Sequence, residues 1–333
     1  MEHSHIAFDS RWIGQNGIGR FATELQVRLN FSHLFDDASH PASFASSLKL
    51  GRWLAGSDAK ALYSPGFIPP SGSKVPFVFT IHDLNHIDIE HNSSRLKKLY
   101  YQCVIRPAIH QAERVLTVSE FSRGRIIEWA DCDPERVTVV GNGVSNIFHA
   151  DVAPMQPGYA YFFCCSNRKG HKNEKRLVQA FSQSGLYRDS KLVFTGSTDV
   201  ELQRLIDRKG LAGQVVFTGR VSETQLAAWY RGAIATVFPS LYEGFGLPVA
   251  ESMACGTPVI TSAISSMPEV GGNAALYIDP RDIESISMAM IAVAGNSELS
   301  SSLAAKGMQQ ARNFTWDKTA NLVSAALHRL QAR

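Results

Sequence analysis

Phe238-Pro239-Ser240-Leu241-Tyr242-Glu243-Gly244-Phe245-Gly246-Leu247-Pro248-Val249-Ala250-Glu251 is the stretch on which the reading of this chain turns. An apolar strand, residues 233–238, runs through a glycine-bearing turn into a helix expected to start at Pro248. Proline suits the first helical position because its missing N–H would have no intrahelical partner there. Gly244 and Gly246 allow backbone angles that a side chain forbids. The N–H groups of Leu247, Val249 and Ala250 then stand at the positive end of a helix, where a phosphate can bind. Glu243 precedes the turn and Glu251 follows it, so the two carboxylates can reach different parts of one ligand. A diphosphate on the amides, with an acid on either side for hydroxyls, describes a nucleotide-sugar site.

With 333 residues the chain fits two domains of ~150 residues rather than one core. Hydrophobic content of 44% and charged content of 19% are those of a globular protein. The net charge of +3 is too small to argue for nucleic acid, and no nucleic-acid-binding signature accompanies it. Five scattered cysteines (Cys103, Cys132, Cys164, Cys165, Cys255) read as reduced, cytoplasmic thiols rather than a disulfide frame or zinc site. The adjacent Cys164 and Cys165 end an apolar run and read as core. Met1-Glu2-His3-Ser4-His5 lacks the basic start of a secretory signal, and no apolar run approaches the ~20 residues of a spanning helix.

Short apolar strands alternate with helical stretches in two halves, which implies parallel sheets covered on both faces. Strands are expected at 6–8, 61–63, 75–81, 115–118 and 137–140 in the first half. A second set starts at 159–165 and includes 192–194, 215–218, 233–238 and 258–261. Pro154, Pro157 and Gly158 mark residues 151–158 as the expected linker. Helices are expected at 93–112 and 119–129, the latter capped by Ser119, and a last one at 316–332. Two such halves form a cleft, and ligands of open parallel sheets bind at the carboxyl ends of the strands.

Other stretches carry two readings each. Gly17-Ile18-Gly19-Arg20, in the loop from Gly14, is either a tight strand-to-helix turn or a loop approaching a phosphate or acceptor. Ser166-Asn167-Arg168-Lys169-Gly170-His171-Lys172-Asn173 is either a solvated basic loop or an anion site, with Arg168 as a bidentate fork and Lys172 as a point charge. His82-Asp83, after a strand, is either a hydrogen-bonded structural histidine or a group facing a sugar. Asp131-Cys132-Asp133 matches a D-x-D metal motif literally, but it sits in a helix-to-strand connection before Pro134, the wrong end of the sheet for a nucleotide-sugar. The 93–112 helix carries Arg95, Lys97, Lys98 and Arg106 beside Leu96, Leu99, Tyr100 and Tyr101. It either packs on its own sheet or lies peripherally on anionic lipid.

Glu243 to Glu251, continued by Ser252-Met253-Ala254-Cys255-Gly256-Thr257-Pro258-Val259-Ile260, resembles the E-x7-E region of family 4 retaining glycosyltransferases. Gly17-Ile18-Gly19-Arg20, His82-Asp83-Leu84, Val118-Ser119, Asn142-Gly143-Val144, Arg168-x3-Lys172-Asn173, Gly219-Arg220-Val221 and Pro268-Glu269-Val270 fall in that family's order. The resemblance implies the α/β GT-B fold: two Rossmann-like, doubly wound parallel-sheet domains facing a central cleft. It divides the chain into an acceptor domain at 1–150, a nucleotide-sugar domain at 159–314 and a helix, 315–333, that crosses back to the first. It also implies site roles. Glu251 binds the ribose; the backbone of Phe245, Gly246, Leu247 and Val249 holds phosphate and sugar; Glu243 meets sugar hydroxyls. Arg168 and Lys172 neutralise the leaving diphosphate, replacing a metal. Gly219, Arg220 and Val221 contact the base, His82 faces the donor sugar, and Gly17 or Gly19 gives an amide to the phosphate or borders the acceptor. Many members place the arginine one position earlier, where Asn167 stands here.

The expected activity is metal-independent, retaining transfer of a hexose from a nucleotide diphosphate sugar, without further cofactor. By resemblance to bacterial surface-polysaccharide mannosyl- and rhamnosyltransferases, the expected donor is GDP-mannose or a related GDP-sugar. The expected acceptor is a saccharide, lipid-linked in those systems. A nucleotide-sugar epimerase or hydrolase on the same fold, or a non-catalytic sugar-nucleotide-binding protein, is the alternative.

Overall fold

A computed structural model of the chain describes residues 3–14, 17–37, 45–90, 93–328 and Leu330. They form two compact units, Met1–Gly143 together with Thr315–Arg333, and Val144–Phe314. Gln15 and Asn16 of the glycine loop, and the expected end of the last helix at Ala332, lie outside the described residues.

The first unit is built on strands β1 (Ile6–Asp9), β2 (His33–Phe35), β3 (Ala61–Ser64), β4 (Phe77–Thr80), β5 (Arg114–Thr117) and β6 (Val137–Val139). They form one parallel sheet in the order β2-β1-β3-β4-β5-β6. Its helices are α1 (Gly17–Arg28), α2 (Ser46–Ala55), α3 (Asn85–Asp88), α4 (Arg95–Tyr100), α5 (Arg106–Gln111) and α6 (Glu120–Ala130). The expected single helix at 93–112 is α4 and α5 joined by a π-helical turn, Tyr101–Ile105. That wide turn lies just ahead of Pro107, whose ring lacks an N–H and crowds the carbonyl one turn back. Ser119 caps α6 as expected, accepting the Ser122 N–H at 3.0 Å.

The second unit has strands β7 (Ala160–Cys164), β8 (Ser190–Phe194), β9 (Val215–Phe217), β10 (Ala235–Phe238), β11 (Val259–Ser262) and β12 (Ala275–Ile278). Helices α7 (Glu174–Ser184), α8 (Val200–Arg208), α9 (Glu223–Gly232), α10 (Leu247–Ala254), α11 (Met267–Gly271), α12 (Ile283–Gly295) and α13 (Ser297–Ala311) connect and cover them. The sheet is parallel, in the order β12-β11-β10-β7-β8-β9. Parallel strands covered on both faces need apolar side chains on both sides. Tyr161, Phe162, Phe163 and Cys164 of β7 are accordingly all buried. One face packs Phe162, Leu192 and Val237 against α7 and α12, and the other packs Phe163 and Val193 against Trp229 and Tyr230 of α9.

In this order the chain winds outward in both directions from β7, so the direction switches between β7 and β10. A switch point leaves a crevice at the carboxyl ends of the two strands. The loops leaving those ends are the basic loop at 166–173 and the turn at 239–246. The crevice therefore falls between the two stretches chosen for their chemistry.

The boundary between the units differs from the expected linker. It falls at Gly143 and Val144, because residues 144–158 are strapped onto the second unit. The Val144 N–H donates to Phe314 O at 3.0 Å, Met155 N–H to Ala228 O at 2.9 Å and Arg231 Nε to Ala150 O at 2.8 Å, while Phe148 packs edge-on to Tyr230. The last helix, α14 (Trp316–His328), belongs to the first unit. Trp316 lies against Phe21 of α1 and so close to Gly143 that no Cβ fits there.

Candidate active site

The turn after β10 is shaped by one glycine. Gly246 has a φ of 102°, and a Cβ on it would collide with the Met267 side chain. Among the described residues of the turn, it alone has the left-handed backbone expected of both glycines. The helix starts one residue early, at Leu247, with Pro248 second. Ser266 pins the turn from α11, its hydroxyl donating to Glu243 O at 3.0 Å and Phe245 O at 2.9 Å.

The expected set of free amides is corrected in one place. The Val249 N–H donates to Gly246 O at 3.0 Å, so it is not available to a ligand. Among the described residues, the amides of Phe245 and Gly246 have no acceptor. Among the described residues, N–H groups without an acceptor at this end of α10 therefore lie in the turn itself.

Glu243 and Lys172 meet here. Lys172 Nζ donates to Glu243 Oε1 at 2.6 Å, and Ser240 Oγ donates to the same oxygen at 2.6 Å. Both charged side chains are 13% exposed. Lys172 also lies over the Phe238 ring at 4.9 Å. Burial alone would lower the lysine pKa, but the adjacent Glu243 carboxylate outweighs it and holds Lys172 above its ordinary value. It is a full cation at neutral pH. The basic loop and the turn are tied together by Leu241 N–H to His171 O at 2.7 Å and Ser240 Oγ to His171 O at 3.1 Å. Asn173, itself left-handed at φ 62°, donates to Pro239 O at 3.0 Å and to Pro280 O at 2.6 Å.

Arg168 is placed differently from Lys172. Its fork is committed to the protein: Nη1 to Glu174 Oε1 at 2.6 Å, Nε to Ser197 O at 2.9 Å, and Nη2 to Thr195 O. It also packs at 5.2 Å over both Phe194 and Phe217. Glu174, buried in the first turn of α7, further accepts from Ser166 Oγ and the Arg168 N–H. Arg168 thus braces the loop with one bond from each guanidinium nitrogen, whereas Lys172 Nζ has Glu243 as its described acceptor.

Glu251 is 5% exposed and accepts the Tyr230 hydroxyl at 3.0 Å. Burial, with Cys165 and Glu251 nearby, holds the Tyr230 hydroxyl well above its ordinary range, so it remains a donor. Cys165, expected in the core, is only half-buried beside this pair, whereas Cys164 is fully inside. Gly219, expected to contact a base through its main chain, has both backbone groups in a bridge to Gly196, at 2.9 and 3.1 Å. Arg220 is exposed and Val221 half-buried just beyond. A groove of about 510 Å³ lined by Arg231, Thr257, Pro258 and Ser297 lies at the amino ends of β10 and β11 and shares no residue with this crevice.

Sequence reasoning missed Glu174, Ser240 and Tyr230. An acid at the first position of α7 and a serine three residues before Glu243 were visible signals; the Tyr230–Glu251 bond, 21 residues apart, left none.

In the first unit, Gly19 is packed so tightly on Gly14 that a Cβ would meet its carbonyl carbon at 2.6 Å, while Gly17 is exposed at the start of α1. His82 bonds Pro65 O through Nε2 at 2.9 Å and meets Phe21 edge-on. Burial lowers its pKa to about 4, so the ring is neutral. Asp131 is the left-handed C-cap of α6, and Asp133 accepts the Glu135 N–H at 2.9 Å. Both acids of the D-x-D sequence therefore serve local backbone geometry.

Two family models match the chain: Glycosyltransferase Family 4 over residues 10–146 and Glycosyl transferases group 1 over residues 149–310. The chain belongs to glycosyltransferase family 4. This glycosyltransferase is 28% identical over 254 residues to O-antigen chain mannosyltransferase B of Escherichia coli, covering 72% of the chain and 67% of the relative. It is 31% identical over 210 residues to O-antigen chain mannosyltransferase RfbU of Salmonella typhimurium, covering 62% and 57%. The alignments thus span between somewhat over half and two thirds of these relatives' lengths. Among solved structures it resembles Anabaena Alr3699/HepE in complex with UDP and glucose, with a TM-score of 0.77 at 17% identity over 98% of this chain and all of that one. The fold is GT-B.

Proposed function

We propose that this glycosyltransferase moves a hexose from a nucleotide diphosphate sugar to a saccharide acceptor in surface-polysaccharide synthesis, with retention and without a metal. Mannose from GDP-mannose or a related GDP-sugar, and a lipid-linked acceptor, are the readings favoured by the O-antigen names of its relatives. The observation that carries the reading is the Lys172–Glu243 pair beside the uncommitted Phe245 and Gly246 amides, at the switch point of the sheet.

A leaving diphosphate needs its growing charge neutralised as the bond from the anomeric carbon to the phosphate oxygen breaks. Lys172 has two further N–H donors for it, and the turn amides add fixed dipoles. Glu243 uses one oxygen for Lys172 and Ser240, leaving Oε2 to accept a sugar hydroxyl. The acceptor oxygen bonds the anomeric carbon on the face the diphosphate leaves, and its proton passes to the departing phosphate. No carboxylate nucleophile is assigned. Glu251, fixed by Tyr230, takes the ribose hydroxyls, and the backbone of Arg220 and Val221 meets the base. Neutral His82 serves a sugar hydroxyl rather than a charge. Arg168 acts through the loop it braces.

Thermal shift against GDP, UDP, ADP and dTDP tests the donor class, since a ligand at a hundred times its dissociation constant adds ~2.7 kcal/mol. Stabilisation by GDP above the others is expected, and turnover of GDP-mannose should disappear in Glu251→Ala. Equal response to every nucleotide, or none, removes the GDP assignment.

A further inference from the structure

We propose that the groove at the amino ends of β10 and β11 is a binding site for a small phosphorylated sugar, separate from the donor crevice. It encloses about 510 Å³, a size usual for small-molecule sites, and every residue lining it belongs to the second unit. The last turn of α9 supplies its cation. Arg231 Nε donates to Ala150 O at 2.8 Å, which anchors the side chain, and among the described residues Nη1 and Nη2 have no acceptor. α13 supplies hydroxyls. Ser297, Ser300 and Ser301 share one face of that helix and span about 6 Å along it. Among the described residues none of these three hydroxyls has a hydrogen-bond partner. Ile234 and Val293 add apolar carbon to the lining. The groove is preformed: Thr257 Oγ1 donates to Tyr230 O at 2.7 Å and ties the segment before β11 to the end of α9.

The lining selects the occupant. It contains no Asp or Glu, and Glu298, beside Ser297, is exposed outside it. The unopposed guanidinium edge therefore favours an anion, and its fork suits a phosphate. A bare phosphate only accepts hydrogen bonds, whereas the serine hydroxyls both donate and accept, as the hydroxyls of a sugar ring require. Ile234 and Val293 suit the C–H face of such a ring. No aromatic side chain lines the groove, so a nucleobase has nothing to stack on. None of the residues placed in the transfer reaction lines it either, so the inference stands apart from that reading.

The test is calorimetric titration of the full chain with mannose 1-phosphate, with mannose and inorganic phosphate as its fragments. The sugar phosphate should bind about tenfold or more tightly than either fragment. Arg231→Gln should weaken it about 10- to 100-fold through the loss of charge-assisted bonds. Ser300→Leu fills the groove without altering a charge and should abolish binding while the melting temperature is kept, which separates blocking from misfolding. Lys172→Ala, in the donor crevice, should leave the affinity unaltered. Any of three results overturns the proposal: no binding of mannose 1-phosphate, binding that survives Arg231→Gln or Ser300→Leu, or inorganic phosphate bound as tightly as the sugar phosphate. Binding that fails in Lys172→Ala overturns it too, since the ligand would then sit in the donor crevice.

Discussion

Removing Lys172 separates its electrostatic role in the fold from its role in turnover. Among the described residues, Lys172→Ala leaves Glu243 with Ser240 as its one donor, at a site 13% exposed. Breaking a buried ion pair from one side costs up to about 3–5 kcal/mol. The surviving Ser240 bond and residual water bring the expected loss here to about 2 kcal/mol. Glu243→Gln keeps the Ser240 contact and removes the charge, so in the Lys172→Ala background it should restore part of that stability. A urea-melt cycle of the four proteins should show a coupling of about 1–2 kcal/mol. Turnover behaves differently. Without Lys172 the leaving group loses its cation, and kcat/KM should drop about 10²–10³-fold, some 3–4 kcal/mol. The charge-neutral double variant recovers stability but not rate. Two results refute the reasoning: additive stabilities, or a Lys172→Ala enzyme whose kcat/KM stays within about tenfold, under ~1.4 kcal/mol.

Other expectations are more compact. Gly246→Ala should destabilise by about 2 kcal/mol through its left-handed backbone, and Met267→Ala should not rescue it fully, since the strain persists after the collision is gone; thermal melts decide. Tyr230→Phe should cost about 1 kcal/mol of stability and raise the donor KM, because Glu251 loses the donor that orients it; steady-state kinetics at saturating acceptor would show it. His3 and His82 both have pKa values lowered from 6.5 to about 4 by burial. The unfolded chain therefore binds protons first as pH falls, so stability is complete above about pH 6.5 and declines toward pH 4, by at most about 3 kcal/mol per group. Urea midpoints at pH 7 and pH 5 for the wild type and His3→Asn should converge at the lower pH.

What the sequence showed best was chemistry built from neighbours in the chain. The turn from Phe238 to Glu251 was legible because proline, glycine and two acids within one strand-turn-helix speak for themselves. Its details were not: which amides stay free depended on Gly246 O taking the Val249 N–H. Arg168 shows the limit more sharply. Its charge and position suggested phosphate, yet its partners Thr195 O, Ser197 O and Glu174 gather only when β7 and β8 lie side by side. Gly219 is the same lesson, since its bridge to Gly196 joins loops 23 residues apart. The unit boundary escaped because Pro154 and Pro157 mark an irregular segment without saying what it lies on. The strand β2, three residues at the sheet edge, and α2, whose N-cap Ala45 makes no capping bond, offered too little pattern to be seen.

The return of α14 to the first unit has a consequence for how the molecule is made. The second unit is one unbroken stretch of chain and can fold as soon as it emerges from the ribosome. The first unit is synthesised earlier but lacks a piece until the end. Phe21 and Gly143 wait for Trp316, and Val323 and Leu327 of the same helix are wholly buried only once it has docked. The part begun first is finished last, so an interrupted translation yields a complete second unit joined to a first unit with an open seam.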